Sequence, residues 1–216
     1  MEGERAGPGF ARQSREGPSH HARARELGLR VQEEHSEDEP FAPLGVYGQT
    51  KAAGDIAVGN APEHYILRSS WVIGEGHNFV KTMMMLSNKV ADPEDKLDQV
   101  TVVDDQYGRL TFTSDMAGAI FHLLDTHAPY GTYNLTGSGT VKSWADIARE
   151  VFDLTNGNGS KVKPISTDQY FANATSPVSP RPTNSALDLT KITETGYTPA
   201  NWEETLKTYV EKELGR

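Results

Sequence analysis

A tyrosine and a lysine four residues apart, Tyr47 and Lys51, form the pair in this 216-residue sequence that is best suited to chemistry. On a helix, this spacing puts both side chains on one face. A phenol alone is a poor proton donor at neutral pH, and an ammonium group one turn away favours the phenolate. Such a tyrosine can donate a proton to a carbonyl oxygen while hydride reaches the carbon. The same spacing also occurs by chance on solvated helices, so the surrounding sequence must decide.

The elements that would position this pair alternate between helices and strands. Helices are expected over residues 45–58, 79–90, 114–126, 144–154, 187–194 and 202–214. Short strands are expected over residues 65–69, 100–103, 131–135 and 161–165. In the first helix an apolar face is formed by Ala52, Ala53, Ile56 and Ala57. This alternation indicates an α/β fold with a largely parallel sheet.

Five segments carry a resemblance to a known family. They are Pro43–Asp55, Ile66–Gly74, Asn78–Lys81, Val103–Thr111 and Ser179–Leu187. Their motifs include Tyr-Gly-x-Thr-Lys, Asp-Gln-x-Gly-x-x-Thr and Arg-Pro-x-Asn-Ser-x-Leu. In content and order they resemble the extended short-chain dehydrogenases, and most closely the dTDP-4-dehydrorhamnose reductases. The resemblance covers roughly residues 31–216.

The resemblance implies a fold and a set of site residues. The fold would be an incomplete, Rossmann-like parallel sheet, corresponding to the carboxy-terminal half, with a small substrate-binding subdomain. Tyr47 would be the catalytic acid and Lys51 its partner, and both would join Ser70 in binding NADPH or NADH. The substrate-binding residues would be Trp71, Asn78, Gln106, Arg181 and Ser185.

The resemblance also implies an activity, the reduction of dTDP-4-dehydro-L-rhamnose to dTDP-L-rhamnose by NADPH or NADH. Two alternatives stay open. One is a sugar-nucleotide 4-epimerase or dehydratase of the same superfamily, which uses a tightly held oxidised cofactor. The other is a noncatalytic remnant that binds a nucleotide-sugar. Trp71 and the Arg-Pro-x-Asn-Ser run favour the reductase.

Four of the five substrate-binding residues also have an ordinary structural interpretation. Trp71 could be a half-buried aromatic side chain, or it could stack on a flat or apolar ligand face. Asn78 and Gln106 could cap loops. Arg181, between two prolines, is suited to a diphosphate but could be a solvated loop residue. The adjacent acids at 104–105 could be turn residues or a cation site, and we assign no metal.

Two elements of the family pattern have no match in the sequence. No Gly-x-Gly-x-x-Gly turn, which would hold a cofactor pyrophosphate at a helix N-terminus, follows a strand. The family's strand with a Ser or Thr about two dozen residues before the tyrosine is also missing, since residues 23–34 hold no such strand. We therefore expect an incomplete cofactor site and no activity from this chain alone, as in a truncated enzyme.

Composition divides the chain into two parts. Residues 1–30 contain six Arg, four Glu and no Ile, Val, Tyr or Trp, which predicts a disordered or non-homologous segment ahead of the part at 31–216.

The net charge of −9 disfavours binding to nucleic acid. No apolar run predicts a membrane span or a secretory signal, and there is no cysteine, so a cytoplasmic protein is expected. The sequence leaves the oligomeric state open.

Overall fold

The computed structural model describes residues 34–216, in which helices and short strands alternate. The helices are α1 (Val46–Gly59), α2 (Phe79–Ala91), α3 (Thr113–Asp125), α4 (Trp144–Asn156), α5 (Thr167–Tyr170), α6 (Thr190–Glu194) and α7 (Trp202–Glu213), with a 3-10 turn at Gly159–Lys161. The strands are β1 (Tyr65–Arg68), β2 (Val72–Ile73), β3 (Val100–Val103), β4 (Tyr107–Gly108), β5 (Thr111–Phe112), β6 (Gly131–Asn134), β7 (Lys142–Ser143) and β8 (Val162–Ile165). The segment predicted to be disordered or non-homologous, residues 1–30, lies outside the described residues.

Helix capping explains where several of these elements begin. The Asn78 side chain accepts a hydrogen bond from the Lys81 amide at 3.0 Å, and Ser143 forms a reciprocal capping box with Asp146. One predicted helix starts later than expected, at Thr190 instead of residue 187. The residues before it run beside His35, whose amide donates to the Ala186 carbonyl at 2.9 Å. The other long helices agree with the predicted bounds to within two residues.

The strands form four pairs, of which three are parallel. β1 pairs with β6, β2 with β5 and β3 with β8 in parallel, whereas β4 and β7 are antiparallel. The predicted α/β class with a largely parallel sheet is confirmed. In a parallel arrangement the loops that follow the strands gather at one edge, where ligands usually bind.

Two clusters of buried side chains form the core. The larger one joins α2, α4 and α7 to β3 and β8, and its fully buried members include Val80, Ile147, Phe152, Trp202 and Leu206. The smaller one packs α3 and α6 against β6, through Leu123, Tyr133, Leu135 and Ile192.

Helix α1 takes no part in this core. It has no buried residue, and Ile56 on its predicted apolar face is 58% exposed. The described part of the chain therefore does not cover the face that the sequence pattern predicted to be apolar. An ion pair instead ties the helix to the sheet, with Arg68 Nε 2.7 Å from a carboxylate oxygen of Asp55. The same guanidinium donates to the Glu37 carbonyl at 2.9 Å.

Because α1 is held by this ion pair, removing it should loosen the helix selectively. We expect Asp55→Asn to speed hydrogen exchange of the α1 amides by roughly tenfold, since a charge-assisted hydrogen bond contributes about 1.5–3 kcal/mol. The melting temperature should change little. Asp98→Asn, which breaks an exposed ion pair with Lys161 of the same 2.7 Å length, is the matched control. Unchanged protection of α1 in Asp55→Asn would show that other contacts hold it.

A half-buried charge cluster connects β7, α4 and α7. Lys142 pairs with Glu150 and, at 2.7 Å, with Glu203, and its ammonium lies 5.3 Å from the ring centroid of Trp202. Burial raises the pKa of Glu150, and the Lys142 hydrogen bond does not offset it. Burial also acts on Glu203, but hydrogen bonds from Lys142 and the Thr140 amide outweigh it and lower the pKa of Glu203. The folded state therefore favours the charged form of one glutamate and the neutral form of the other.

The two glutamates should respond differently to neutral substitution. At pH 7, Glu203→Gln should lower the melting temperature by a few degrees, about 1 kcal/mol, because the folded state favours its charged form. That loss should shrink as pH falls below the ordinary pKa of 4.5 through the lowered folded value. Glu150→Gln should cause no loss at pH 7, because burial already disfavours its charge. Equal destabilisation by both variants in thermal melts at pH 7 would contradict this account.

Candidate active site

Tyr47 and Lys51 lie together on the surface of α1. The Lys51 ammonium is 5.6 Å from the centroid of the Tyr47 ring, so the two side chains share one face as the spacing predicts. Tyr47 is 75% exposed, which leaves its ring open to a ligand. The start of the helix is closely packed, because a Cβ on Gly48 would lie 3.0 Å from Pro43. A side chain there would push the lead-in segment away from the tyrosine.

The closing loop of the predicted site borders the start of α1. A Cβ on Gly45 would lie 3.0 Å from the Ser179 hydroxyl oxygen, so the loop passes directly beside the residue that precedes the helix. Arg181 follows two residues later and is exposed. The loop that carries Arg181, the predicted diphosphate-binding residue, therefore passes beside the end of α1 at which Tyr47 lies.

Three other predicted residues gather around strand β4. Gln106, just before this strand, donates from its amide to the Thr167 hydroxyl at 2.9 Å. The Ser185 amide donates to the Tyr107 carbonyl at 2.8 Å. The Ser70 hydroxyl in turn donates to the Ser185 carbonyl at 3.0 Å. The loop after β1, the loop after β3 and the closing segment thus meet at one place.

Trp71 stands at the centre of this group in an unusual conformation. Its φ of 51° lies in the left-handed region, which bulky residues rarely adopt. The indole stacks on that of Trp144, with ring centroids 3.8 Å apart and an interplanar angle of 20°. It also lies against Gly108, where a Cβ would be 3.0 Å from two indole atoms. Sequence reasoning noted Gly108 only as part of the Asp-Gln-x-Gly-x-x-Thr motif, and it missed Trp144, which neither spacing nor polarity distinguishes.

Asn78 acts as a cap, which is the structural interpretation that the sequence left open beside substrate binding. In addition to accepting from Lys81, its amide donates to the carbonyls of Gly74 and Gly76 at 2.8 and 2.9 Å. It also donates to the Tyr209 hydroxyl at 2.9 Å. The amide therefore shapes the loop between β2 and α2. A substrate contact by Asn78 stays a prediction and would compete with these bonds.

The adjacent acids after β3 act as hydrogen-bond acceptors for neighbouring elements. Asp104 accepts from the Ser143 hydroxyl at 2.6 Å, and Asp105 accepts from the amide and hydroxyl of Thr167. Over residues 34–216, no group of three His, Asp or Glu side chains is arranged to hold a metal ion. These carboxylates fix the starts of α4 and α5 beside Gln106.

The residues present fit only one part of a nicotinamide cofactor. Tyr47 and Lys51 offer a hydroxyl and an ammonium group on an open face, which suits a ribose and the reacting carbonyl. Within the sequence, no glycine-rich turn offers backbone amides to a pyrophosphate. The proximity of Trp71 to the Tyr47 hydroxyl, which the family resemblance implies, stays a prediction.

None of the helices described for residues 34–216 is long and apolar enough to span a membrane.

Comparison with known proteins connects these observations to a family. A dTDP-4-dehydrorhamnose reductase from Aggregatibacter actinomycetemcomitans is 36% identical over 186 residues, covering 80% of this chain and 59% of that protein. The solved reductase from Clostridium acetobutylicum is 31% identical with a TM-score of 0.73, covering 88% of this chain and 68% of that one. The reductase from Bacillus anthracis, solved with NADP, is 30% identical with a TM-score of 0.69, covering 83% and 59%.

The chain thus spans a little more than half the length of the curated relatives that it matches. The fold that it shares with the solved reductases is Rossmann-like. The RmlD substrate binding domain matches residues 28–214, which is most of the chain. The chain therefore belongs to the family of the RmlD substrate binding domain.

Proposed function

We propose that this chain provides the substrate-binding and proton-donating part of a reductase that converts dTDP-4-dehydro-L-rhamnose to dTDP-L-rhamnose. The observation that carries the proposal is the exposed Tyr47–Lys51 face on α1, in a chain of this family. The names of the reductases reported above support a keto-sugar substrate on dTDP. A cytoplasmic location is part of the same proposal.

The chemistry needs one proton and one hydride. Tyr47 donates its phenolic proton to the carbonyl oxygen at C4 of the sugar, and that oxygen becomes the new hydroxyl. The reduced nicotinamide, NADPH or NADH, supplies the hydride to C4 when it is bound. The Lys51 ammonium stabilises the phenolate that Tyr47 becomes. Tyr47, Lys51 and Ser70 would hold the cofactor. The NADP in the Bacillus anthracis relative supports the choice of a nicotinamide cofactor.

The remaining site residues would bind and orient the sugar-nucleotide. Arg181 is a fixed, permanently charged fork that suits two diphosphate oxygens. Gln106 and Ser185, on either side of β4, would line the sugar site beside Trp71. These contacts would hold the sugar carbonyl beside Tyr47, so that the reacting groups no longer have to meet by chance. Such orientation can remove a large part of the activation free energy.

A second candidate function rests on the missing glycine turn. Without it, the isolated polypeptide would bind a dTDP-sugar and catalyse nothing, as a binding module. Both candidates require a dTDP site on this chain. Once the cofactor-binding elements are supplied, the first candidate would reduce the sugar, whereas the second would still only bind it. The names of the relatives favour reduction over the epimerase and dehydratase alternatives.

Binding of a fluorescent dTDP derivative tests the dTDP site that both candidates share. In anisotropy titrations at low micromolar protein, we expect saturable binding that Arg181→Ala weakens roughly tenfold or more, because a charge-assisted hydrogen bond is lost. Lys207→Ala, which removes an exposed positive charge on α7, should leave binding unchanged. If the unmodified chain does not bind dTDP, the assignment of the substrate site is wrong.

A further inference from the structure

Hydrogen bonds from Thr111 on strand β5 hold Trp71 in its left-handed conformation. The Thr111 amide donates to the Trp71 carbonyl at 3.1 Å, and the Thr111 hydroxyl donates to the carbonyl of Ser70 at 2.5 Å. Thr111 is fully buried, so water cannot replace these bonds. A bulky residue at positive φ costs free energy and persists only where its surroundings enforce it. The Trp71 backbone is therefore specified by β5, which is distant in sequence.

The indole of Trp71 is covered on both faces. Trp144 covers one face, because the rings are nearly parallel at 3.8 Å. A Cβ at Gly108 would lie 3.0–3.2 Å from three indole atoms, including two at the ring fusion, which places Gly108 over a face and not at the edge. These three are the atoms nearest to that Cβ position, and none belongs to Trp144. Gly108 must therefore cover the opposite face.

Gly108 and Trp144, which cover the two faces of the Trp71 indole, are both positioned by the short pairing of β4 with β7. Gly108 lies on β4 and pairs with Lys142 on β7, and Tyr107 pairs with Ser143. Trp144 follows Ser143 directly as the first residue of α4, where the capping box fixes the start of the helix. Phe79 packs on the Trp144 ring at 4.4 Å between centroids. The ladder and the capping box therefore fix the spacing of the slot into which Trp71 fits.

We propose that Trp144 is a positioning residue that, with Gly108, clamps Trp71 so that it meets the ligand with its edge and not with a ring face. An indole edge carries partial positive charge and the ring N–H, so it suits oxygen acceptors of a sugar or phosphate. A face would instead suit a flat or apolar surface. The identity of the ligand rests on the proposed function, but the clamp itself does not.

The clamp can be tested on the chain without any ligand. Two stacked indoles give an exciton couplet in the far-ultraviolet circular dichroism spectrum. We expect this couplet in the unmodified chain and its loss in Trp144→Phe and Trp144→Leu, each of which removes one of the two coupled indoles. Gly108→Ala should weaken it, because the added methyl group would meet the indole. Phe79→Leu, which alters the outer contact of Trp144 only, should keep it. Absence of the couplet from the unmodified chain, or its survival in Trp144→Leu, would overturn the clamp.

Binding of dTDP-glucose then distinguishes edge from face. The Gly108 backbone is fixed in the β4–β7 ladder, so a ligand that stacked on Trp71 would have to displace the Trp144 indole. The couplet should therefore persist at saturation if the edge is used. Loss of the couplet on saturation would overturn the edge contact. Trp144→Leu should weaken binding roughly tenfold, and Trp144→Phe should restore most of it by refilling the slot with a ring. Equal binding by Trp144→Leu and the unmodified chain would refute the positioning role. Failure of the unmodified chain to bind dTDP-glucose would overturn the proposed function, while the ligand-free spectra would still decide the clamp.

Discussion

A chimera that joins the amino-terminal, cofactor-binding half of a family reductase to residues 31–216 should reduce its keto-sugar substrate, and Tyr47→Phe should abolish that activity. General acid catalysis by a positioned side chain contributes about 100-fold to 10,000-fold, so the loss in kcat should fall in that range. Tyr47 is the candidate acid because it is exposed and shares a helix face with Lys51. The rate would be followed by the absorbance of the reduced nicotinamide.

The unmodified 216-residue chain should show no turnover in the same assay. Its sequence has no glycine-rich turn for the pyrophosphate and no strand with a Ser or Thr hydroxyl before Tyr47. Positioning of a hydride can account for several kcal/mol of a barrier, and loss of a hydroxyl that polarises a carbonyl typically costs about 100-fold or more. Turnover by this chain with either cofactor would show that residues ahead of α1 have a role that the sequence does not reveal.

A matched control separates the role of Tyr47 from a general effect of losing a phenol. Tyr170 is also half-exposed and lies on α5, outside the proposed acid site. Tyr170→Phe in the chimera should keep kcat within about twofold, since surface substitutions away from such sites usually have small effects. Full activity of Tyr47→Phe would show that Tyr47 is not the acid.

The apolar face of helix α1 is exposed in the described part of the chain. Val46 and Ile56 are both more than half-exposed on a helix that has no buried residue. Among the described residues, β1 pairs with β6 alone, which leaves its other edge without a ladder. Exposed apolar patches and open strand edges promote association. We therefore expect this chain alone to self-associate as its concentration rises and to bind hydrophobic dyes.

Ile56→Glu should reduce this association markedly, because it places a charge in the centre of the patch. Ile120→Glu on α3, a helix packed into the smaller core cluster, is the control and should have less effect. Light scattering and sedimentation over a concentration series would measure the difference. A clean monomer of the unmodified chain at high concentration would contradict the expectation.

Local signals in the sequence were sufficient for most of the fold. The helices predicted to begin at residues 79 and 144 begin there, because the Asn78 and Ser143 side chains cap them. The alternation of periodic segments predicted the α/β class because each segment is long enough to show its period. The pair Tyr47 and Lys51 could be placed on one face from spacing alone.

The details that the sequence did not predict depend on contacts between distant residues. Trp144 lies 73 positions after Trp71, so no local pattern could reveal the stack that covers one indole face. The two-residue pairing of β4 with β7 is too short to leave a periodic signal. The sequence correctly predicted that α1 is a helix with an apolar face, but whether that face is buried depends on the surface packed against it. The interpretation of Trp71 as a flat stacking surface considered one residue and not its neighbours, and it stays a prediction.

The most direct test of the central claim is the stoichiometry of the chimera with dTDP-4-dehydro-L-rhamnose and NADPH. A reductase consumes one reduced nicotinamide for each sugar converted, because the hydride stays on C4 of the product. We expect equal amounts of NADPH lost and dTDP-L-rhamnose formed, measured by absorbance and by chromatography of the nucleotide-sugars. Conversion of the sugar without net loss of NADPH would contradict the account and favour the epimerase or dehydratase alternative.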